Sequence, residues 1–140
     1  MKGPLALALV CLAVAASGCD AVSGYLSIPT RPTTFNAFSD DSGTLAGGDV
    51  HWLQCCTTTV TVQVTCLRAV GNRATIGTSW PTSPPTGRFW YVQEVPGEDN
   101  DRLDEDGADA PPTVCPDPPA TITDNESVSG DIHVIDDFHP

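Results

Sequence analysis

The sequence reads as an all-β protein: a small antiparallel sandwich or barrel of about seven short strands, after an N-terminal signal peptide helix and a flexible tether. Three observations lead there. Thr57 to Leu67, TTTVTVQVTCL, alternates strictly. Val60, Val62, Val64 and Cys66 lie on one face, with Thr59, Thr61, Gln63 and Thr65 on the other. Period-two alternation of β-branched residues makes a half-buried antiparallel strand. Turn clusters such as Asp40-Asp41-Ser42-Gly43 and Gly71-Asn72 separate short apolar runs. No stretch after residue 18 carries helical periodicity of useful length.

The division along the chain is 1–18 signal peptide, 19–32 lipidated N-terminus and tether, and 33–140 β domain. Lys2 precedes an apolar run of 13 residues from Pro4 to Ala16, closed by Ser17 and Gly18. A bilayer core needs about 20 residues, so this run has the length of a secretory leader. Residues 20–34, with Pro29 and Pro32 among Ser and Thr, show no periodicity and read as a tether. A first edge strand near Tyr25 to Ile28 is the alternative.

Within the domain, Thr34 to Phe38 alternates weakly. Thr44 to Leu45 and Asp49 to Leu53 form a second strand, interrupted by Gly47-Gly48. Thr57 to Leu67 follows, then the Gly71-Asn72 turn and a returning strand over Ala74 to Thr78. Trp80 to Gly87 is a Pro-rich loop, and Arg88 to Val95 an aromatic-rich strand. Residues 96–119 hold six prolines and an acidic run, so no regular element is expected there. Ala120 to Thr123 and Asp131 to Ile135 read as short terminal strands, with Ser129-Gly130 as a turn between them.

Charge excludes several functions. The net charge is −12 and the pI about 4.2. Nucleic-acid binders need a basic footprint, and docking on anionic lipid needs a polybasic patch. At 6% aromatic, stacking platforms for single strands are not expected either.

Ala16-Ser17-Gly18-Cys19 resembles a bacterial lipobox. The resemblance implies cleavage before Cys19, acylation of its thiol, and membrane anchoring by acyl chains outside the cytoplasm. The alternative is a free secreted protein cut after Ala13-Val14-Ala15.

Cys55, Cys56, Cys66 and Cys115 remain for the folded domain. Outside the cytoplasm they are expected to form disulfides, and four cysteines allow three pairings. Cys66 falls on the core face of the best strand, and a bridge to Cys115 would hold the Pro-rich loop. Pairing Cys55 or Cys56 with Cys115 is the alternative. The Cys55-Cys56 doublet lacks the CxxC spacing of a zinc site.

Val64-Thr65-Cys66-Leu67, the Gly71-Asn72 turn and Ala74-Thr75-Ile76-Gly77 are similar to a recurrent bacterial secreted β domain. There an acidic loop, a second cysteine and a G-x-I-x-V strand follow, matched here by Pro96 to Asp109, Cys115 and Gly130 to Val134. The resemblance implies an all-β fold and a Cys66–Cys115 bridge. It implies no activity.

Three constellations could carry chemistry. Eight carboxylates lie between Glu94 and Asp109. Calcium takes six to eight oxygens, so Asp99, Asp101, Asp104 and Asp106 are the candidate ligands. Asp104-x-Asp106-Gly107 echoes an EF-hand loop, but Arg102 and Thr113 would occupy its first and twelfth positions, and a solvated loop is the plainer reading. His51 and His133 could pair with a carboxylate in a small hydrolase, although no GxSxG context exists; His139 is penultimate. Phe89 and Tyr91 share a strand face opposite Trp90. Core packing is expected, with an exposed Trp90 platform for a sugar ring as the alternative.

Together these features describe a lipid-anchored cell-envelope protein with a structural or ligand-binding β domain, a protein or glycan partner, no nucleic acid and no cofactor. A small extracytoplasmic hydrolase and a calcium-binding module are the alternatives.

Overall fold

In the computed structural model, the described residues are 19–27, 31–40, 45–54, 57–97, 101–123 and 129–136. Residues 1–18, read above as a signal peptide, and Cys55, Cys56, Asp99 and His139 lie outside them. Eight strands follow in chain order: β1 Ala21–Ser27, β2 Thr33–Ser39, β3 Ala46–Gln54, β4 Thr58–Val70, β5 Arg73–Trp80, β6 Thr86–Gln93, β7 Arg102–Ala108 and β8 Ser129–Ile135. They form one antiparallel sheet in the order β7-β6-β5-β4-β3-β2-β1-β8. The described residues contain no helix.

One sheet has no second layer to cover its apolar face, so it curls on itself as a half-barrel. Val22 and Leu26 of β1, Phe35 of β2, Val50 and Trp52 of β3, and Ile76, Trp90 and Val92 of β5 and β6 meet inside. The Phe35 ring of β2 sits edge-on to Trp90 of β6, 5.7 Å between centroids, across the interior.

Four regions depart from expectation. The tether is not a tether, because Ala21–Ser27 is β1, flanked by β2 and β8. Val22 and Leu26 supply its buried face. Gly24, at φ +132°, lets β8 approach: a Cβ there would stand 2.4 Å from the Asp131 carbonyl oxygen. The acidic segment 96–119 contains a strand, β7, paired along β6 from Gln93↔Arg102 to Gly87↔Ala108. Its alternation was hidden because inward Glu105 is polar beside inward Leu103. Ala120 to Thr123 is not a strand, although Ile122 is buried, and Ser129-Gly130 begins β8 instead of forming a turn.

The fourth departure concerns Cys66. The register of β4 against β5 shifts between Val64 and Cys66, a β-bulge. The extra residue reverses the alternation. Leu67 and Ala69 therefore continue the inner face begun by Val62 and Val64, and Cys66 turns outward. It is buried there all the same, beneath residues 109–123, which cross the outer face of β4 to β6. Cys66 and Cys115 form a disulfide, 5.5 Å between Cα atoms. Arg68 Nε donates to Asp117 Oδ1 at 2.8 Å, and Arg73 donates to the carbonyls of Pro118 and Pro119. Gly77 makes the room, since a Cβ would lie 2.4 Å from Cys66 Sγ and 2.7 Å from Pro112.

The two ends of the sheet meet through side chains instead of a strand ladder. Asp101 is fully buried. Its Oδ1 accepts from Val95 N–H and its Oδ2 from Ile132 N–H of β8, both at 2.8 Å. Glu94 Oε1 accepts from Val134 N–H at 2.9 Å. These carboxylates satisfy edge amides that no strand reaches. Burial pushes the Asp101 carboxyl above its ordinary range; the two amides oppose this, and the charges of Asp131 and Glu94 add to it.

A raised folded-state value means the folded protein holds the proton more tightly than the unfolded chain. That contribution to stability is complete below the ordinary value and is lost as pH rises through the raised one. Asp101→Asn turns an NH2 toward one of the amides and is expected to cost about 1–3 kcal/mol at neutral pH. The stability difference between wild type and Asp101→Asn is expected to widen as pH falls from 7 to 4. Urea unfolding at both values checks this; a narrowing difference would mean that the amide bonds outweigh burial.

Candidate functional site

Residues 109–123 form a strap over the outer face of β4 to β6. Over β1 to β3 the face is left open around a cleft of about 290 Å³, lined by Tyr25, Pro32, Thr34, His51, Trp52, Leu53 and Thr59. The strand register assembles it. Tyr25 pairs with Thr34, Thr34 with His51 and His51 with Thr61, making one outward row across four strands. Leu53 pairs with Thr59 in the next row. Along β3, Asp49, His51 and Leu53 point outward while Val50 and Trp52 point into the core. Tyr25 is 47% exposed and Leu53 41%, so two large apolar side chains face solvent here.

Asp49 and His51 are neighbours on that face. His51 Nδ1 lies 3.0 Å from Asp49 Oδ1. A carboxylate at Nδ1 places the proton of neutral imidazole there and leaves Nε2 as an acceptor. The other predicted histidine, His133, lies 3.5 Å from Glu94 and 3.6 Å from Asp131, is largely exposed and lines no described cleft.

Of the candidate calcium ligands, the described Asp101, Asp104 and Asp106 do not converge. Asp101 turns inward with both oxygens engaged. Asp104 and Asp106 lie on the outward face of β7, flanking Tyr91, which pairs with Asp104. Burial, then the charges of Asp106 and Asp104, raises the Tyr91 phenol above its ordinary value. Among the described residues no group of three or more His, Cys, Asp or Glu side chains is arranged to hold a metal ion.

Trp90 is no exposed platform. It is fully buried and donates from Nε1 to Thr78 Oγ1 at 3.0 Å. The three tryptophans instead form an interior cluster. Trp52 and Trp80 stack at 5.2 Å, and Trp90 tilts against both. The Arg88 guanidinium lies 4.1 Å from the Trp80 ring centre, and Arg31 lies 5.5 Å and 5.4 Å from those of Trp52 and Trp90. Glu105 joins both arginines and is 15% exposed. The two arginines thus engage the aromatic rings from within, and the cluster plugs the interior. Arg31 and Glu105 stand 74 residues apart, and no local pattern foretold their meeting. The cleft was hidden too, because its residues come singly from separate strands; only the outward Asp49-x-His51-x-Leu53 pattern marks it in the sequence.

Cys19 is 1% exposed and disulfide-bonded. An acylated thiol and this disulfide exclude each other. The chain matches no protein-family model, no curated protein and no solved structure. The functional reading therefore rests on its own geometry.

The plug yields a stability prediction. Glu105→Ala leaves two guanidinium groups facing each other, and the Nε of each is already buried without a partner. Breaking a buried pair costs roughly 3–5 kcal/mol; here solvent reaches all three residues, and a loss of about 2–3 kcal/mol is expected. Glu105→Gln should cost less, because it keeps one acceptor. Chemical denaturation monitored by tryptophan fluorescence measures both; a neutral Glu105→Ala would overturn the assignment.

Proposed function

We propose that this chain is an exported, extracytoplasmic β domain that acts by recognition and not by catalysis, through the cleft beside Tyr25 and His51. The division of the outer face carries this reading. The strap seals one half, and the other half presents exposed Tyr25 and Leu53 around a concavity with a few hydrogen-bonding groups. Binding sites have that composition.

The disulfides support an oxidising compartment, in keeping with the leader read at residues 1–18. Two fates are open to Cys19. The lipid anchor read from Ala16 to Cys19 requires a free thiol. A buried, disulfide-bonded Cys19 two residues before β1 favours the released form. An anchored form would have to draw Cys19 out of its site and would hold the domain against the bilayer without a tether.

A hydrolytic reading has one specific observation behind it: the Asp49–His51 pair opens on a cleft that also holds Thr34 and Thr59. The pair is about one-third exposed on an open face. Among the described residues nothing there excludes water or holds a developing charge, so recognition accounts for the site more simply.

The mature chain without the leader has five cysteines, Cys19, Cys55, Cys56, Cys66 and Cys115. The Cys66–Cys115 bridge uses two of them, and a bridge from Cys19 to Cys55 or Cys56 would use two more. Intact-mass analysis and a thiol count on protein from the native envelope or medium are expected to show an unacylated Cys19 and one reactive thiol. An acyl mass on Cys19 would restore the anchor. Turnover of p-nitrophenyl esters or glycosides that disappears in His51→Ala would replace recognition by hydrolysis.

A further inference from the structure

We propose that the cleft takes a single ring of a neutral saccharide; this rests on the recognition reading above and names its ligand class. Size comes first. At about 290 Å³ the cleft stands at the lower end of small-molecule sites, which run from about 300 Å³ upward, so it accommodates one ring and not an extended chain.

The lining matches the two kinds of surface that a sugar ring presents. Tyr25, Pro32 and Leu53 offer apolar contact for its C–H face. An aromatic ring with a polar tip suits a ligand that is apolar on one side and wet on the other. Thr34 and Thr59 hydroxyls both donate and accept, as sugar hydroxyls do. Asp49 holds His51 through Nδ1, so Nε2 is an acceptor for a sugar hydroxyl. These groups sit on adjacent hydrogen-bonded strands, which fixes their spacing before any ligand arrives.

Charge decides between neutral and acidic sugars. Among the described residues no Lys or Arg lines the cleft, and Asp49 stands behind the imidazole. The net charge is −12. All five arginines are engaged elsewhere: Arg31 and Arg88 with Glu105, Arg68 with Asp117, Arg73 with Pro118 and Pro119, and Arg102 with the Ile122 carbonyl. A uronate, sulfate or phosphate would meet repulsion with no cation to offset it.

The test uses the mature protein and NMR titration with neutral oligosaccharides, namely cello-, xylo-, malto- and chito-oligosaccharides, beside oligogalacturonate of equal length. The expected result is that at least one neutral sugar shifts the resonances of Tyr25, Thr34, His51 and Thr59, while oligogalacturonate does not. Tyr25→Ala and His51→Ala should each weaken binding by roughly tenfold. Leu45→Ala, exposed outside the cleft, should leave it unchanged. Tyr25 and His51 lie outside the buried core, so both variants should fold, and their melting curves check that. If all four neutral sugars fail, or if oligogalacturonate binds equally well, the saccharide assignment is overturned. A fragment screen separates the two levels: fragments that shift the same resonances keep the recognition reading while the sugar falls. No shift with any fragment removes both.

Discussion

A single sheet of eight strands can bury an apolar face only by curling until its ends meet, and Asp101 is where they meet. Its carboxylate binds the amide that follows β6 and an amide of β8, two points far apart in the sheet order. A ladder would have needed matching strand directions and register; a two-oxygen side chain needs only proximity. The cost is a charge removed from water, and Asp131 and Glu94 increase it. The amides, buried by the curl, would otherwise have no partner, which is why the carboxylate belongs there.

The same closure explains how an acidic chain uses its few cations. With five arginines against eighteen acids after Lys2, indiscriminate surface pairing would leave most carboxylates unpartnered in any case. The arginines are instead placed where geometry is most demanding. Arg31 and Arg88 hold Glu105 against the tryptophans, and Arg68, Arg73 and Arg102 fasten the strap. Acids left outside give the molecule a negative surface that repels anions.

The strap and the open face are complementary results of one sheet. Prolines and Cys115 let residues 109–123 cross β4 to β6 without pairing to them, and Gly77 opens the space beneath. Nothing comparable crosses β1 to β3 among the described residues. There the outward row of Tyr25, Thr34 and His51 remains accessible, and with it the cleft.

The sequence alone determined the all-β class, because period-two alternation in β4 and the two-residue turn at Gly71-Asn72 are local properties of the chain. The burial of aromatics was legible for the same reason: Trp90 alternates with Phe89 and Tyr91, and large rings leave water. Tertiary structure decided the rest. The bulge at Val64/Cys66 reversed the face of Cys66, and nothing in a regular alternation announces where it breaks. β1 and β7 look like tether and acidic loop because each is stabilised by partners distant in sequence, Ile132 across from Gly24 and Arg31 and Arg88 around Glu105. The cleft exists only once four strands lie side by side, since a row of side chains across a sheet has no counterpart along the chain.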